Sequence, residues 1–262
     1  MKNNTGTSRN SGYQPFGSEL WETLEMQIEA ITGAEKNPIA AFDIDGTIWD
    51  GDIAERFFEY QVLHRLLPNL PRDPWAHYYN LVAEDEEKGF MWLAQTNAGF
   101  PVETVRKWAK EAFMANLHSM PFFEDQQKLI TRLLEKKFRV YFISGSPLWA
   151  IEPMVEYLGG KTIHALGMST RVENGIITSE PVFPLTWKAG KIEALLKATN
   201  GKNPNLAAGT TMGDFALINA ATHIKLAVTS QPRQGRLITS EQQLQHEAAA
   251  RQWLTHSFAA AE

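Results

Sequence analysis

Residues 39–47 read Ile39-Ala-Ala-Phe-Asp43-Ile-Asp45-Gly46-Thr47, and this stretch decides the fold of the chain. The apolar run before Asp43 is typical of a short buried strand that ends at a turn. Side chains alternate along a strand, so Asp43 and Asp45 should leave the chain on the same side. Gly46 allows the sharp turn that follows. The pattern therefore predicts two carboxylates that converge beyond the end of a hydrophobic strand.

Two carboxylates at such a place suggest either a bound cation or catalysis. Oxygen ligands suit a hard cation such as Mg²⁺. Alternatively, one carboxylate can attack an electrophile while the other transfers a proton. A calcium loop and a simple capped turn are the competing readings. The calcium loop is disfavoured because Ile44, Ile48 and Trp49 stand where further oxygen ligands would be needed.

Three later apolar runs also end in small or polar residues. Residues 140–143 lead into Ser144-Gly145-Ser146, residues 206–212 into Gly213-Asp214, and residues 224–228 into Thr229-Ser230. Helical patterns lie between these runs, at residues 126–136 and 188–198. Strands that alternate with helices predict an α/β fold with a Rossmann-like parallel sheet. Ligands of such sheets bind at the carboxyl ends of the strands, where all these polar residues should lie.

In this order, the segments resemble the four motifs of the haloacid dehalogenase-like hydrolase superfamily. The motifs are Asp43-Ile-Asp45-Gly-Thr47, Ile143-Ser-Gly-Ser146, Lys188 and Gly213-Asp214, and the resemblance covers about residues 37–230. The long helical stretch after the first motif is similar to the helical-cap subfamily that includes phosphoserine phosphatase. The resemblance implies a phosphatase core at residues 18–48 and 121–262, with a helical cap at residues 49–120.

The resemblance also implies a role for each motif residue. Asp43 would be the nucleophile that forms an aspartyl phosphate, and Asp45 would be the general acid and base. The expected phosphate-binding residues are Thr47, Ser144, Gly145 and Lys188. The expected Mg²⁺ ligands are Asp43, Asp214 and the backbone carbonyl of Asp45. Lys191 is a rival to Lys188, although Lys188 is favoured because it directly precedes the apolar helix face.

One position departs from the family pattern. A second acidic residue commonly follows the motif-four aspartate by four or five positions, and here those positions hold Ile218 and Asn219. Asn219 is expected to hold a magnesium-bound water through its side-chain oxygen, without adding charge.

Trp49 and Asp52 are the expected substrate-binding residues. In sequences that look like phosphoserine phosphatase, a glutamate at the position of Asp52 faces the substrate ammonium group. An acidic residue there, with an aromatic ring nearby, suggests an amino- or cation-bearing ester such as phosphoserine, phosphoethanolamine or phosphocholine. The alternative for Asp52 is that it caps a helix beginning at residue 53.

Composition limits the possible partners. The chain has 262 residues, a formal net charge of −5 and no cysteine. The negative charge argues against nucleic acid or an anionic membrane as the main partner, and no apolar run has the length of a membrane span. Residues 1–17 are polar and predict a disordered tail. We expect a monomer or homodimer in the cytoplasm, or in the periplasm if a signal sequence has been removed.

Other patterns predict the surrounding elements. They indicate a packing helix at residues 19–31, cap helices at residues 53–66, 73–96 and 102–117, and a terminal amphipathic helix at residues 240–258. Residues 168–172 and 176–182 predict a β-hairpin, since Asn174-Gly175 is a strong turn signal.

The function expected from the sequence is Mg²⁺-dependent hydrolysis of a small-molecule phosphomonoester. Two alternatives remain open: a binding protein of the same fold with weak catalysis, and a phosphomutase. Halide displacement is disfavoured because Asp45 would have no task.

Overall fold

The structure is a computed structural model that describes residues 12–230 and 236–259. It contains a six-stranded sheet, a separate two-stranded hairpin and helices around them. The helices are α1 (Ser18–Ala34), α2 (Ile53–Leu63), α3 (Pro74–Glu84), α4 (Glu86–Gln95), α5 (Val102–Asn116), α6 (Glu124–Glu135), α7 (Leu148–Leu158), α8 (Ala189–Thr199), α9 (Phe215–Ala220) and α10 (Arg236–Ala250). The strands are β1 (Ile39–Phe42), β2 (Arg139–Pro147), β3 (Ile163–Met168), β4 (Thr170–Glu173), β5 (Ile176–Pro181), β6 (Leu206–Gly209), β7 (Ile224–Thr229) and β8 (Leu254–Ser257).

The large sheet is parallel throughout and has the order β3-β2-β1-β6-β7-β8. The chain runs outward from β1 to β2 and β3, then returns to the other side of β1 with β6. The change of direction therefore falls between β1 and β6, and a crevice at the carboxyl ends of these strands is the usual ligand site of such a sheet. Asp43 follows β1 at this point. The predicted Rossmann-like α/β fold is confirmed.

Both faces of the sheet are covered, which explains the continuous apolar runs of its central strands. Ala40 and Phe42 of β1 point into one hydrophobic core, and Ile39 and Ala41 point into the other. All four side chains are buried. Ala40 and Phe42 thus face the helices α1, α6 and α7, and Ile39 and Ala41 face α8, α9 and α10.

Five helices, α2 to α6, lie between β1 and β2 in the chain, and the first four of them fall in the expected cap range. The single helical pattern expected at residues 73–96 is divided into α3 and α4 at Asp85, which has φ −159° and ψ 111°. The Asp85 side chain accepts hydrogen bonds from Glu87 N and Lys88 N, so it caps α4. The proposed division into core and cap at residues 48/49 and 120/121 stays a prediction.

The predicted hairpin forms between β4 and β5. Asn174 and Gly175 both have positive φ, 51° and 81°, as its two-residue turn requires. The hairpin is also bonded to the loop between α4 and α5, because Gly99 N donates to Ile177 O and Ile177 N donates to Phe100 O. It therefore joins the sheet-bearing part of the chain to the inserted helices.

Both ends of the chain differ from expectation. Residues 240–258 do not form one helix: α10 ends at Ala250, and β8 then pairs with β7 in parallel. Without β8, β7 would be the edge strand of the sheet. Pairing with β8 satisfies the outward-facing backbone N–H and C=O groups of β7, which a longer helix would leave unpaired. Most of the expected disordered tail, residues 1–11, lies outside the described residues. Within residues 12–17, two side chains are held by the folded chain: Phe16 is buried, and Tyr13 Oη donates to Asp50 at 2.8 Å.

Within the described residues, we find no helix with the length and apolar character needed to cross a lipid bilayer.

Candidate active site

Asp43, Asp214 and Lys191 form a buried ionic cluster at the carboxyl ends of β1 and β6. Lys191 Nζ donates to Asp43 Oδ1 at 2.6 Å and to Asp214 Oδ1 at 2.5 Å. Only 1% of the surface of Lys191 is exposed, so both bonds are shielded from water. Asp214 is held on its other oxygen, where Thr210 N and Thr211 N donate to Oδ2 at 3.0 Å each. The sheet thus brings together two predicted carboxylates and one lysine.

Asp45 lies beside this cluster in a tight loop. Thr47 N and Ile48 N both donate to Ile44 O, and Gly46, with φ 80°, donates its N–H to Trp49 O. The Asp45 carboxylate is anchored on both oxygens. Trp49 Nε1 and Ile53 N donate to Oδ1 at 3.0 and 2.9 Å, and Ser146 Oγ donates to Oδ2 at 2.8 Å.

Ser144 and Gly145 lie in β2, which extends past them to Pro147. Ser144 is buried; its carbonyl accepts from Thr186 Oγ1 at 2.6 Å and its hydroxyl from Ser146 N at 3.0 Å. A side chain at Gly145 would come within 3.2 Å of Phe90 and 3.3 Å of Trp187. The glycine therefore lets these two rings approach the strand end.

Thr47 and Trp49 are placed differently from expectation. Thr47 is fully buried and its hydroxyl donates to Asp43 Oδ2 at 2.8 Å, so it supports the proposed nucleophile. Trp49 is also fully buried, and it packs against Phe113 and Phe122. Because its ring is enclosed in the core and absent from the pocket wall, Trp49 does not offer an aromatic face to a substrate.

Lys188 does not reach the site. It precedes α8 with φ 48°, its side chain is 63% exposed, and its Nζ lies 3.2 Å from Glu86 Oε2. The helix begins only at Ala189, so Lys188 does not share the direction of the helix face that enters the site. Lys191, the rival position, lies in the first turn of α8 and occupies the site instead.

Asn219 is also outside the site. Its side chain is exposed, and its backbone carbonyl accepts from Lys225 Nζ at 2.8 Å. The expected role in holding a metal-bound water therefore has no geometric basis. The neighbouring Ile218 is fully buried in the core.

A pocket opens directly over the carboxylates. The residues that line it are mostly polar, with three aromatic rings, two aliphatic side chains and one glycine: Asp43, Asp45, Asp52, Ala54, Tyr78, Phe90, Ser144, Gly145, Ser146, Trp187, Lys191, Thr211, Asp214 and Leu237. Asp52 lines the pocket, and its Oδ1 accepts from Glu55 N at 2.9 Å, so it caps α2. Its role in binding a substrate stays a prediction.

Sequence reasoning missed Ser146, Phe90, Tyr78 and Trp187 as parts of this site. Ser146 could have been found, because a second hydroxyl two residues after Ser144 points to the same side of the strand. The rings could not, since Phe90 and Tyr78 come from α4 and α3 and only the folded chain places them over the end of β2.

Burial and mutual electrostatic interactions shift the pKa values of Asp43, Asp45 and Lys191. Burial raises the pKa of Asp43 to about 7; Asp214 and Asp45 add to this and Lys191 opposes it. Burial also raises the pKa of Asp45 to about 6, with a further contribution from Asp52. Burial alone would lower the pKa of Lys191, but Asp214 and Asp43 outweigh it and raise the pKa above its ordinary value. Lys191 is therefore firmly cationic, and burial makes Asp45 hold a proton more readily than an ordinary aspartate.

A divalent cation fits this donor set. Asp43 and Asp214 present carboxylate oxygens, the ligands that Mg²⁺ prefers, and the ammonium of Lys191 lies between them. Across residues 12–230 and 236–259, no cluster of three or more His, Cys, Asp or Glu side chains is arranged to hold a metal. Asp43 and Asp214 would thus need backbone, water or substrate oxygens to complete a coordination sphere, as is usual for Mg²⁺.

The sequence matches the family model of the haloacid dehalogenase-like hydrolases over residues 40–217. This match spans more than half of the chain. The chain belongs to the haloacid dehalogenase-like hydrolase family. The predicted family and enzyme class are thereby confirmed.

Known relatives of this family member are distant in sequence. Phosphorylcholine phosphatase of Pseudomonas aeruginosa is 26% identical in an alignment that covers 72% of this chain and 72% of that protein. A functionally unknown protein of Anaerococcus prevotii has a similar structure, with a TM-score of 0.70, 13% identity and coverage of 95% and 97% of the two chains. A phosphoserine phosphatase described as a phospho-aspartyl intermediate analogue gives a TM-score of 0.51, 15% identity and coverage of 85% and 94%. At these identities, the two structures establish a shared fold.

Proposed function

We propose that the protein is a Mg²⁺-dependent phosphatase that hydrolyses a small phosphomonoester through an aspartyl-phosphate intermediate. The observation that carries this proposal is the convergence of Asp43, Asp45, Asp214 and Lys191 on one pocket at the switch point of the sheet. Family membership and the distant relationship to a phosphatase support it.

Asp43 is the proposed nucleophile. Lys191 Nζ and Thr47 Oγ1 each bond one of its oxygens, so the carboxylate is fixed in direction before substrate arrives. Attack by a carboxylate oxygen on phosphorus forms the new P–O bond while the ester P–O bond breaks. The ammonium of Lys191 offsets the negative charge that gathers around the phosphoryl group. A Mg²⁺ ion held by Asp43 and Asp214 would supply further charge neutralisation when bound.

Asp45 is the proposed general acid and base. It gives its proton to the departing alkoxide, which leaves as the alcohol. In the second half of the reaction it takes a proton from water, which attacks phosphorus and releases inorganic phosphate from Asp43. The raised pKa of Asp45, about 6, suits a group that has to hold and return a proton near neutral pH.

The substrate's other end is proposed to carry a compact organic cation, as in phosphocholine or phosphoethanolamine. Asp52 adds a negative charge to the pocket, and Tyr78 and Phe90 add aromatic surface. An acidic side chain with aromatic rings is a common binding arrangement for ammonium groups. The name of the Pseudomonas aeruginosa relative, a phosphorylcholine phosphatase, points to the same class of substrate.

The proposal is tested with purified protein and a panel of phosphate esters: phosphocholine, phosphoethanolamine, phosphoserine, glycerol 3-phosphate and p-nitrophenyl phosphate. We expect Mg²⁺-dependent release of phosphate that is abolished in Asp43→Asn. A matched control is Asp50→Asn, an aspartate of the same loop region that bonds Tyr13 and does not line the pocket. Activity that persists in Asp43→Asn, or no activity on any ester, would exclude this function.

A further inference from the structure

The Asp45 carboxyl group has two chemically different oxygens in this fold. Oδ1 accepts hydrogen bonds from Trp49 Nε1 and from the backbone N–H of Ile53. Oδ2 faces two hydroxyl groups, with Ser146 Oγ at 2.8 Å and Ser144 Oγ at 3.3 Å. One oxygen is therefore surrounded by N–H groups and the other by O–H groups.

This difference matters because N–H groups cannot accept a hydrogen bond. A proton on Oδ1 would point at the donor hydrogens of Trp49 or Ile53 and would find no acceptor there. A hydroxyl group is both donor and acceptor, so Ser146 can turn to suit a carboxyl that is either ionised or protonated. Buried polar groups that lose their partner cost free energy, which disfavours the proton on Oδ1.

The two hydroxyl partners of Oδ2 belong to the pocket wall. Ser144 and Ser146 both line the pocket with Asp43, whereas Trp49 lies in the core behind Asp45. Oδ2 is therefore the oxygen of Asp45 whose side-chain partners both line the pocket.

We infer that Oδ2 of Asp45 carries the proton to the leaving group, and that Ser146 is the positioning residue that directs it. This inference rests on the proposed phosphatase function. In the step concerned, the Oδ2–H bond breaks, the proton joins the departing ester oxygen, and the Asp45 carboxylate that remains accepts a hydrogen bond from Ser146.

Leaving-group dependence tests this role. An alkoxide is a poor leaving group that needs a proton, whereas p-nitrophenolate leaves as a stable anion without one. A residue that directs the general acid should therefore matter for alkyl esters and much less for p-nitrophenyl phosphate. The quantity to compare is kcat/KM, because it covers events up to the departure of the alcohol and excludes hydrolysis of the intermediate.

The experiment compares Ser146→Ala with Thr47→Val. Both changes remove a hydroxyl that bonds an active-site carboxylate, but Thr47 bonds the nucleophile Asp43. The alkyl substrate is whichever of phosphocholine, phosphoethanolamine and glycerol 3-phosphate the wild-type protein hydrolyses fastest. In Ser146→Ala we expect kcat/KM for the alkyl ester to fall roughly tenfold, a part of the contribution of a general acid, and that for p-nitrophenyl phosphate to fall less than about threefold. In Thr47→Val, kcat/KM should fall by the same factor for the alkyl ester and for p-nitrophenyl phosphate. Ser146→Thr, which restores a hydroxyl, should recover the alkyl activity.

The outcomes separate this inference from the function on which it rests. Equal losses on both esters in Ser146→Ala, or no loss on either, would overturn the role of Ser146 while leaving the phosphatase intact. A wild-type protein that hydrolyses neither ester in an Asp43-dependent way would overturn the proposed function itself.

Discussion

Lys191 Nζ lies 2.6 Å from Asp43 Oδ1, and both side chains are buried. This ion pair joins the first turn of α8 to the end of β1, residues that are 148 positions apart in the chain. Lys191 also reaches Asp214, so one ammonium holds the two carboxylates that the sheet brings together. Of the two lysines that the sequence offered for the phosphate site, Lys191 is thus the one that reaches the carboxylates.

Lys191 and Lys188 form a matched pair for mutagenesis. Lys191→Met should lower turnover by roughly a hundredfold or more, because a preorganised charge at the reacting phosphoryl group is lost. It should also lower the free energy of unfolding, since buried carboxylates are left without their partner. Lys188→Met removes only an exposed ion pair with Glu86 and should keep turnover within about threefold. The measurement is steady-state hydrolysis with urea unfolding in parallel. A larger loss of turnover in Lys188→Met than in Lys191→Met would contradict the assignment.

The Mg²⁺ requirement for hydrolysis should depend on the Asp214 side chain and not on the Asn219 side chain. Hydrolysis is expected to stop in excess chelator and to return with Mg²⁺, and Ca²⁺ should inhibit because its coordination is larger and less octahedral. Asp214→Ala should raise the Mg²⁺ concentration for half-maximal activity steeply, since a carboxylate of the site is lost. Asn219→Ala, at an exposed position, should leave that concentration unchanged. Mg²⁺ titrations of the three proteins give the answer, and full activity in chelator would rule out the metal site.

Asp52 and Asp73 separate charge recognition from helix capping. Each caps a helix through its side chain, Asp52 at α2 and Asp73 at α3, but only Asp52 lines the pocket. Asp52→Asn should weaken kcat/KM for phosphocholine roughly tenfold more than for glycerol 3-phosphate, because one charge pair with the ligand is lost. Asp73→Asn should change kcat/KM for phosphocholine and for glycerol 3-phosphate by the same factor. Equal losses in Asp52→Asn would reduce that residue to a helix cap.

His256 should make the stability of the protein depend on pH. Burial lowers the pKa of His256, while the Gln14 carbonyl at 3.0 Å and the charge of Asp125 oppose this. The rings of Phe16 and Phe258 pack against it. The folded state thus binds fewer protons than the unfolded state. The stabilising contribution is complete above the unfolded pKa of about 6.5 and is lost as the pH falls through the lower folded value.

The pH effect is measured as the free energy of unfolding in urea at about pH 8 and about pH 5, where histidine changes charge. We expect the wild-type protein to lose more stability on acidification than His256→Gln. His118→Gln, at an exposed position, controls for the loss of a histidine elsewhere. A variant at position 256 that is more sensitive to acid than the wild type would show the opposite sign.

Strand ends were predictable because their signals are local. The apolar runs before Asp43 and before Ser144 predict buried strands, and the structure has β1 and β2 there, with β2 continuing through the hydroxyls to Pro147. The turn at Asn174-Gly175 was equally local, since it depends on the positive φ of two adjacent residues. In contrast, the sequence pattern predicts helix where β8 lies. The alternation of apolar and polar residues in β8 is short, and its strand conformation depends on pairing with β7.

The candidate site was only partly predictable for the same reason. Asp43, Asp45, Ser144, Gly145 and Asp214 lie at strand ends or in the loops that follow them, and a parallel sheet necessarily gathers these at one edge. Trp49 was expected at the pocket because it is close to Asp43 in sequence, but burial against Phe113 and Phe122 turned its ring into the core. Distance along the chain does not tell which way a side chain points after a turn.

The sequence by itself determined the α/β class, the order of the motifs and the carboxylates at the centre of the site. These follow from local periodicity and from the fixed geometry of strands. Only the tertiary structure decided that Lys191 replaces Lys188, that Ser146 and Trp49 anchor opposite oxygens of Asp45, and that Tyr78 and Phe90 form the pocket wall. Those choices depend on where α8 begins and on how α3 and α4 pack over the sheet. Such packing is settled by contacts between distant parts of the chain, which no local pattern encodes.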